Sequence, residues 1–263
     1  MTGASSGIGF ALALALAQKG YDLVVTAPTE AELEEVNRQI IALGRKCFKA
    51  PADVRDAALM LAIPQQASQI LGQPIELAIA NAGVLRYGPP EQQSLEDDMF
   101  TFGVNLIGAV HLVRAVLPAM LERRSGHLVG VGSLAGVLPF PQRPAYTASK
   151  SGLIYYFRGL ALDLKAYSIP VTVVLPGYVH SPMTAKIDRM PLAWSSERAA
   201  RYIVKGLEQK RATIAFPWPL VWGLRLLGLL PEFAQTFLLR RQQLHLRPAG
   251  AADSSVSSEA ASS

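Results

Sequence analysis

A doubly wound α/β fold, a parallel sheet of the Rossmann-like kind with helices on both faces, follows from three observations. Short apolar runs suited to buried strands alternate with longer helical stretches over most of the 263 residues. Half of the chain (50%) is hydrophobic and only 17% is charged, as expected where strands are covered on both sides. Glycine, aspartate, asparagine and serine fall just after the apolar runs, where such sheets collect their ligands.

The elements are read in order. TGASSGIG, from Thr2 to Gly9, is a glycine-rich turn entering a helix that ends at Gly20. Tyr21 to Ala27 reads as a strand, and Thr29 to Leu43 as a helix whose early glutamates, Glu30, Glu32, Glu34 and Glu35, suit a helix N-terminal half. Lys46 to Ala50 is the next strand, leading to Asp53 and Val54. A helix from about Asp56 to Leu71 is expected to be interrupted or kinked at Pro64. Ile75 to Ala80 is a buried strand followed by Asn81, Ala82 and Gly83, small residues that leave room for a ligand. A long helix after Ser94 carries Asn105 in an apolar setting, where its amide needs partners; a structural bridge between helices is one reading and a functional role the other.

The apolar run His127 to Gly132 delivers Ser133 at its end. Tyr146 and Lys150, four apart at the head of a helix, share one face. An ammonium beside a phenol favours the phenolate, so this spacing predicts a Tyr146 pKa below the usual ~10 and an acid/base group for an alcohol or carbonyl oxygen. Val171 to Leu175 is a further strand, ending at Pro176 and Gly177. The proline-containing loop Tyr178 to Trp194 is placed to act as a mobile lid. Ser196 to Gln209 reads as a helix and Ala212 to Phe216 as a last short strand.

Composition narrows the class of function. The net charge of +5 is spread along the chain, and no basic patch or motif points to nucleic acid. One cysteine, Cys47, leaves no internal disulfide framework and fits a reducing, cytoplasmic compartment. MTGASSGIGF does not read as a secretory signal.

Together, TGASSGIG, Asp53-Val54, Asn81-Ala82-Gly83, Asn105, Ser133, YTASK at 146–150 and Pro176-Gly177 resemble the short-chain dehydrogenase/reductases of the small single-domain type. The likeness runs from Thr2 to about Phe216. It implies an NAD(P)-dependent oxidoreductase that moves hydride between a nicotinamide and a carbonyl or secondary alcohol. It also implies roles. Tyr146 is the acid/base, Ser133 binds the substrate oxygen, Lys150 lowers the tyrosine pKa and holds the nicotinamide ribose, and Asn105 holds a relay water. Gly3, Ser5, Ser6, Gly7, Ile8 and Gly9 form the phosphate loop. Asp53, with Val54 beside it, meets the adenine, and Asn81, Ala82 and Gly83 line the adenosine side. Pro176, Gly177, Val179 and Thr184 flank the nicotinamide. A homodimer or homotetramer is implied by the same likeness.

Two departures stand out. The family's first strand, which lies mid-sheet, has no counterpart before Thr2, so an internal methionine start or a truncated product is expected, with unpaired ladder groups on both flanking strands. At the position that selects the nucleotide, Ala27 and Pro28 offer neither acid nor arginine; the missing acid leans the choice toward NADP over NAD.

Residues 217–248 form an apolar extension with basic residues at its end, and 249–263 a Ser/Ala-rich segment expected to be disordered. The Pro219–Pro231 interval allows about three helical turns, too short for the ~20 residues of a bilayer span. It suits a helix lying in a membrane surface, with contact through 216–247, or a segment that covers the substrate cleft or packs on a partner subunit. Either use favours a lipophilic substrate. The competing reading is a catalytically inactive nucleotide-binding or membrane-associated scaffold of the same fold.

Overall fold

The computed structural model describes residues 1–240. Its helices are α1 (Gly7–Gln18), α2 (Glu34–Ala42), α3 (Ala57–Leu71), α4 (Leu95–Phe102), α5 (Gly108–Arg123), α6 (Pro144–Asp163), α7 (Ser196–Glu208), α8 (Trp218–Gly228) and α9 (Glu232–Leu239). The strands are β1 (Leu23–Val25), β2 (Cys47–Lys49), β3 (Leu77–Ala80), β4 (His127–Val131), β5 (Val171–Pro176) and β6 (Thr213–Phe216). All the pairings are parallel, with β1 beside β2 and a second sheet in the order β3-β4-β5-β6. The tail expected at 249–263 and the basic residues after Arg240 lie outside the described residues.

Alternation along the strands sorts the core into two layers. Val129, Val131 and Val174 face a cluster with α1, α2 and α7, whereas Leu128, Val173 and Leu175 face one with α3, α5 and α6. Both faces are therefore covered, as an all-parallel sheet requires.

The two sheets do not pair with each other as strands. The segment from Met1 to Ala4 joins them: Thr26 N–H donates to Met1 O at 3.0 Å, Ala4 N–H donates to Thr26 O at 3.2 Å, and Thr2 N–H donates to Ile79 O at 3.0 Å. The Met1 α-amino group donates to Val24 O at 2.6 Å. Between β1 and β3 lies a slot of about 520 Å³ walled by Leu16, Leu23, Met60, Ile63, Leu77 and Val116. The glycine turn keeps a base, because Thr2 bridges Thr26 in parallel.

One expectation is corrected. Helix α3 runs unbroken through Pro64. Asp56 caps its start, accepting from Leu59 N–H at 3.0 Å, and Gly72 ends it in the left-handed region; packing of Met60, Ile63 and Ala67 into the core outweighs the missing proline donor.

The long helix after Ser94 is α4 and α5 joined by a π-helical turn, Gly103–Ile107, centred on Asn105. The run Leu95–Arg123 is long and apolar enough to cross a membrane by composition alone, but α5 packs on α3 and β3, and α4 on α6. The loop from Tyr178 to Trp194 is tied at both ends. Trp194 N–H donates to Tyr178 O at 3.0 Å, His180 N–H donates to Trp194 O at 2.9 Å, and Trp194 stacks on Phe216 with centroids 4.7 Å apart. Helix α8 spans three turns, in keeping with its bounding prolines.

Candidate active site

The carboxyl ends of the strands open into a cleft of about 290 Å³. Every residue expected at the cofactor lines it: the glycine turn, Asp53-Val54, Asn81 to Gly83, Tyr146, Lys150, Pro176-Gly177, Val179 and Thr184. Ser133 lines it too. Asn105 does not.

The glycine turn closes tightly. A Cβ on Gly9 would lie 1.9 Å from Gly3 O, so no larger residue fits there without moving the loop. Ser6, the N-cap of α1, makes no side-chain cap bond, and the first turn holds no acid. The first main-chain bond returning into the helix is Phe10 N–H to Ser6 O at 3.1 Å, which leaves the earlier N–H groups of α1 for a ligand. Open donors at a helix N-terminus, within a cleft, fit a diphosphate. A dinucleotide matches what this cleft offers.

Asn81 holds the turn in place. Its side-chain amide donates to Thr2 O at 3.1 Å and to Gly3 O at 2.9 Å, and its N–H donates to Thr2 Oγ1 at 3.1 Å. Asp53 is engaged on the other side. Arg55 clamps its carboxylate through Nε at 2.9 Å and through the adjacent guanidinium nitrogen at 2.5 Å, which holds the carboxyl below its usual pKa. Arg55 also stacks over Phe100 at 4.6 Å from the ring centre. Thr184 donates to Val179 O at 2.7 Å and so fixes the loop after β5.

Tyr146 and Lys150 emerge from the start of α6, and Ser133 from the turn after β4. Ser133 Oγ accepts from Ala135 N–H at 3.0 Å and hydrogen-bonds the Tyr146 phenol. Lys150 is buried, and its Nζ donates to Val131 O at 2.9 Å. Burial brings its pKa down to about 8.

The Tyr146 pKa departs from the sequence expectation. Burial raises it above the usual phenol value; the Ser133 hydrogen bond and the charge of Arg143 pull it down only in part, and Tyr178 adds to the rise. Lys150 is not among the groups that move it. Its ammonium is bound to the strand carbonyl, so helical spacing alone did not fix the electrostatics.

Asn105 is fully buried, and both of its amide protons are used. Its Oδ1 accepts from Val84 N–H at 2.7 Å, and its Nδ2 donates to Val84 O and to Ser149 Oγ, both at 3.0 Å. Ser149 in turn donates to Tyr146 O at 2.7 Å. The amide is a structural bridge between the π turn, the loop after β3 and α6.

Residues 1–192 match the family model for short chain dehydrogenase. The chain belongs to this family. Among its relatives, the ketoacyl reductase HetN of Nostoc sp. is 34% identical over 81% of this chain and 76% of its own length. The 2,3-dihydro-2,3-dihydroxybenzoate dehydrogenase of Bacillus subtilis is 35% identical over 78% of this chain and 76% of its own. A short chain dehydrogenase/reductase from Burkholderia phymatum, solved in complex with NAD, shares the fold with a TM-score of 0.80 at 24% identity, over 91% of this chain and 93% of that one. A short-chain dehydrogenase from Sphingobium yanoikuyae, in complex with NADPH, does so with a TM-score of 0.77 at 24% identity, over 88% and 95%.

The short-chain dehydrogenase cleft has a second half here that motif reading did not place. A cavity of about 560 Å³ adjoins it, walled by α8, α9 and the loop after β5. Its lining includes Leu134, Phe140, Tyr178, Ile187, Leu224 and Leu239, and it shares Ser133, Tyr146, Pro176 and Gly177 with the first half. The extension docks closely: a Cβ on Gly177 would come within 2.9 Å of Pro217 and 3.2 Å of Leu220. Arg143, three residues before the tyrosine, was also missed. Its position just ahead of a helix-opening proline reads as a cap site, with nothing local to signal that it is buried.

Proposed function

We propose that this protein is a nicotinamide-dependent oxidoreductase acting on a lipophilic ketone or secondary alcohol. The observation that carries the proposal is the position of Ser133 and Tyr146 on the border between the polar cleft and the apolar cavity. A reacting carbon there meets a dinucleotide on one side and a hydrocarbon chain on the other.

The glycine turn and the α1 N-terminus would hold the diphosphate, and Lys150 with the loop after β5 the nicotinamide end. The dinucleotide supplies or accepts hydride. Ser133 Oγ would orient the substrate oxygen, and Tyr146 Oη would give it a proton in reduction or take one in oxidation. A phenol kept protonated by burial suits the reducing direction. Ala27 sets no carboxylate against a 2′-phosphate, which favours NADPH over NADH. Asn105 would act by holding α6 and the π turn in place.

Helices α8 and α9 and the turn between them expose Trp218, Trp222, Leu229 and Phe233. Apolar and indole side chains on the surface of the same helices that wall the cavity favour a membrane-surface contact, through which a lipophilic substrate could arrive. Tyr155 and Leu162, exposed on α6, offer an apolar face for a second subunit.

Titrating the protein with NADPH and NADH by nicotinamide fluorescence, then adding decan-2-one, tests the reading. Nucleotide binding followed by steady oxidation of the reduced nucleotide is expected. Binding with no turnover of any carbonyl in a homologous ketone series would overturn it in favour of a nucleotide-binding scaffold.

A further inference from the structure

The wall of the apolar cavity contains one buried cation. Arg143 is 5% exposed, and among the described residues its guanidinium makes no hydrogen bond or ion pair. Its Nε is buried without a partner. Its one aromatic contact is Phe140, whose ring centre lies 5.0 Å from the guanidinium carbon. Asp97 and Asp98 share a small adjacent cavity with it, but Asp97 meets Arg86 at 3.4 Å. A buried guanidinium without an anion is unfavourable, and a stack on one ring offsets little of that. Such a group is held in place for something that arrives.

We infer that Arg143 is the anion-recognition residue of the substrate cavity, so that the substrate is an amphipathic oxo or hydroxy acid. This rests on the lipophilic-cavity reading above and narrows it. Arg143, the N-cap of α6, lines the same cavity as Tyr146. A carboxylate on Arg143 therefore shares that cavity with the reacting oxygen at Tyr146, with the rest of the chain running toward Leu224 and Leu239. The planar fork of a guanidinium accepts a carboxylate through two parallel hydrogen bonds, which a neutral headgroup cannot match. Arg143 also counts among the charges that hold the Tyr146 phenol down, which places it within electrostatic reach of the reacting oxygen.

The test compares decanoate with decan-1-ol by isothermal titration to the whole protein. Decanoate should bind about tenfold more tightly or better. Arg143→Met should erase that preference while keeping decan-1-ol affinity; Arg143→Lys, which keeps the charge, should retain part of it and guards against a folding artefact. In turnover, 4-oxodecanoate should show a KM about tenfold or more below that of its methyl ester at similar kcat, and Arg143→Met should abolish the gap. Equal binding of acid and alcohol to the wild-type protein, or a preference that survives in Arg143→Met, would overturn the assignment of Arg143 and leave the lipophilic cavity standing. Failure of both ligands to bind would overturn both.

Discussion

The two halves of the active-site cleft are built on opposite plans. The polar half is made of backbone and small residues at strand ends, held by short bonds: Asn81 to the glycine turn, Thr184 to Val179, Arg55 to Asp53. The apolar half is made of large side chains from two late helices, with few polar contacts and one unpartnered cation. A dinucleotide is the same molecule in every enzyme that uses it, so its half can be written in rigid local motifs. A substrate site must differ from one protein to the next, and side chains on an appended element can change without disturbing the sheet.

Substitutions can break this comparison, beginning with Tyr146, one of the residues both halves share. Tyr146→Phe removes the phenol proposed as proton donor and should lower kcat about a thousandfold while leaving dinucleotide affinity unchanged; single-turnover kinetics beside fluorescence titration would show it. Gly9→Val, whose Cβ would collide with Gly3 O, should weaken dinucleotide binding about a hundredfold yet spare decan-1-ol binding. Loss of both ligands together would mean that the halves are not independent.

Asn105→Ala should leave Val84 and Ser149 without their partners and cost about 2 kcal/mol of stability, read as a lower urea midpoint. An unchanged midpoint with a collapsed kcat would return Asn105 to a direct catalytic role. Leu224→Ala, in the apolar wall, should weaken decan-1-ol binding roughly fivefold with no effect on NADPH.

The smallest expected effect lies far from the cleft. Burial, with the charge of Lys210, brings the His127 pKa down from 6.5 to about 4. Between those values the unfolded chain binds more protons than the folded one, so the stability that neutral His127 preserves above pH 6.5 falls as pH drops to about 4. His127→Gln should flatten that part of the urea-midpoint profile against pH and leave kcat unchanged.

Much of the polar half was legible in the sequence. TGASSGIG, NAG and YTASK are local patterns whose conformations depend on neighbours along the chain. Strand ends moved from where they were read, with Tyr21 to Ala27 becoming Leu23–Val25 and Val171 to Leu175 becoming Val171–Pro176, because pairing with neighbours sets them. Asn105 exposed the limit of motif reading. Its residue type was visible, but whether its amide served a water or the fold depended on Val84 and Ser149, 21 and 44 positions away.

The sequence by itself determined the alternation of elements, the fold they make, and the set of residues gathered at one sheet edge, because hydrophobic period and turn chemistry act over a few residues. Tertiary structure alone decided three things. It bound the Lys150 ammonium to Val131 rather than leaving it to the phenol, folded α8 and α9 over the cleft, and buried Arg143 against Phe140 without an anion. Each depends on which distant atoms desolvate or neutralise a charge, and spacing along a chain carries no measure of that.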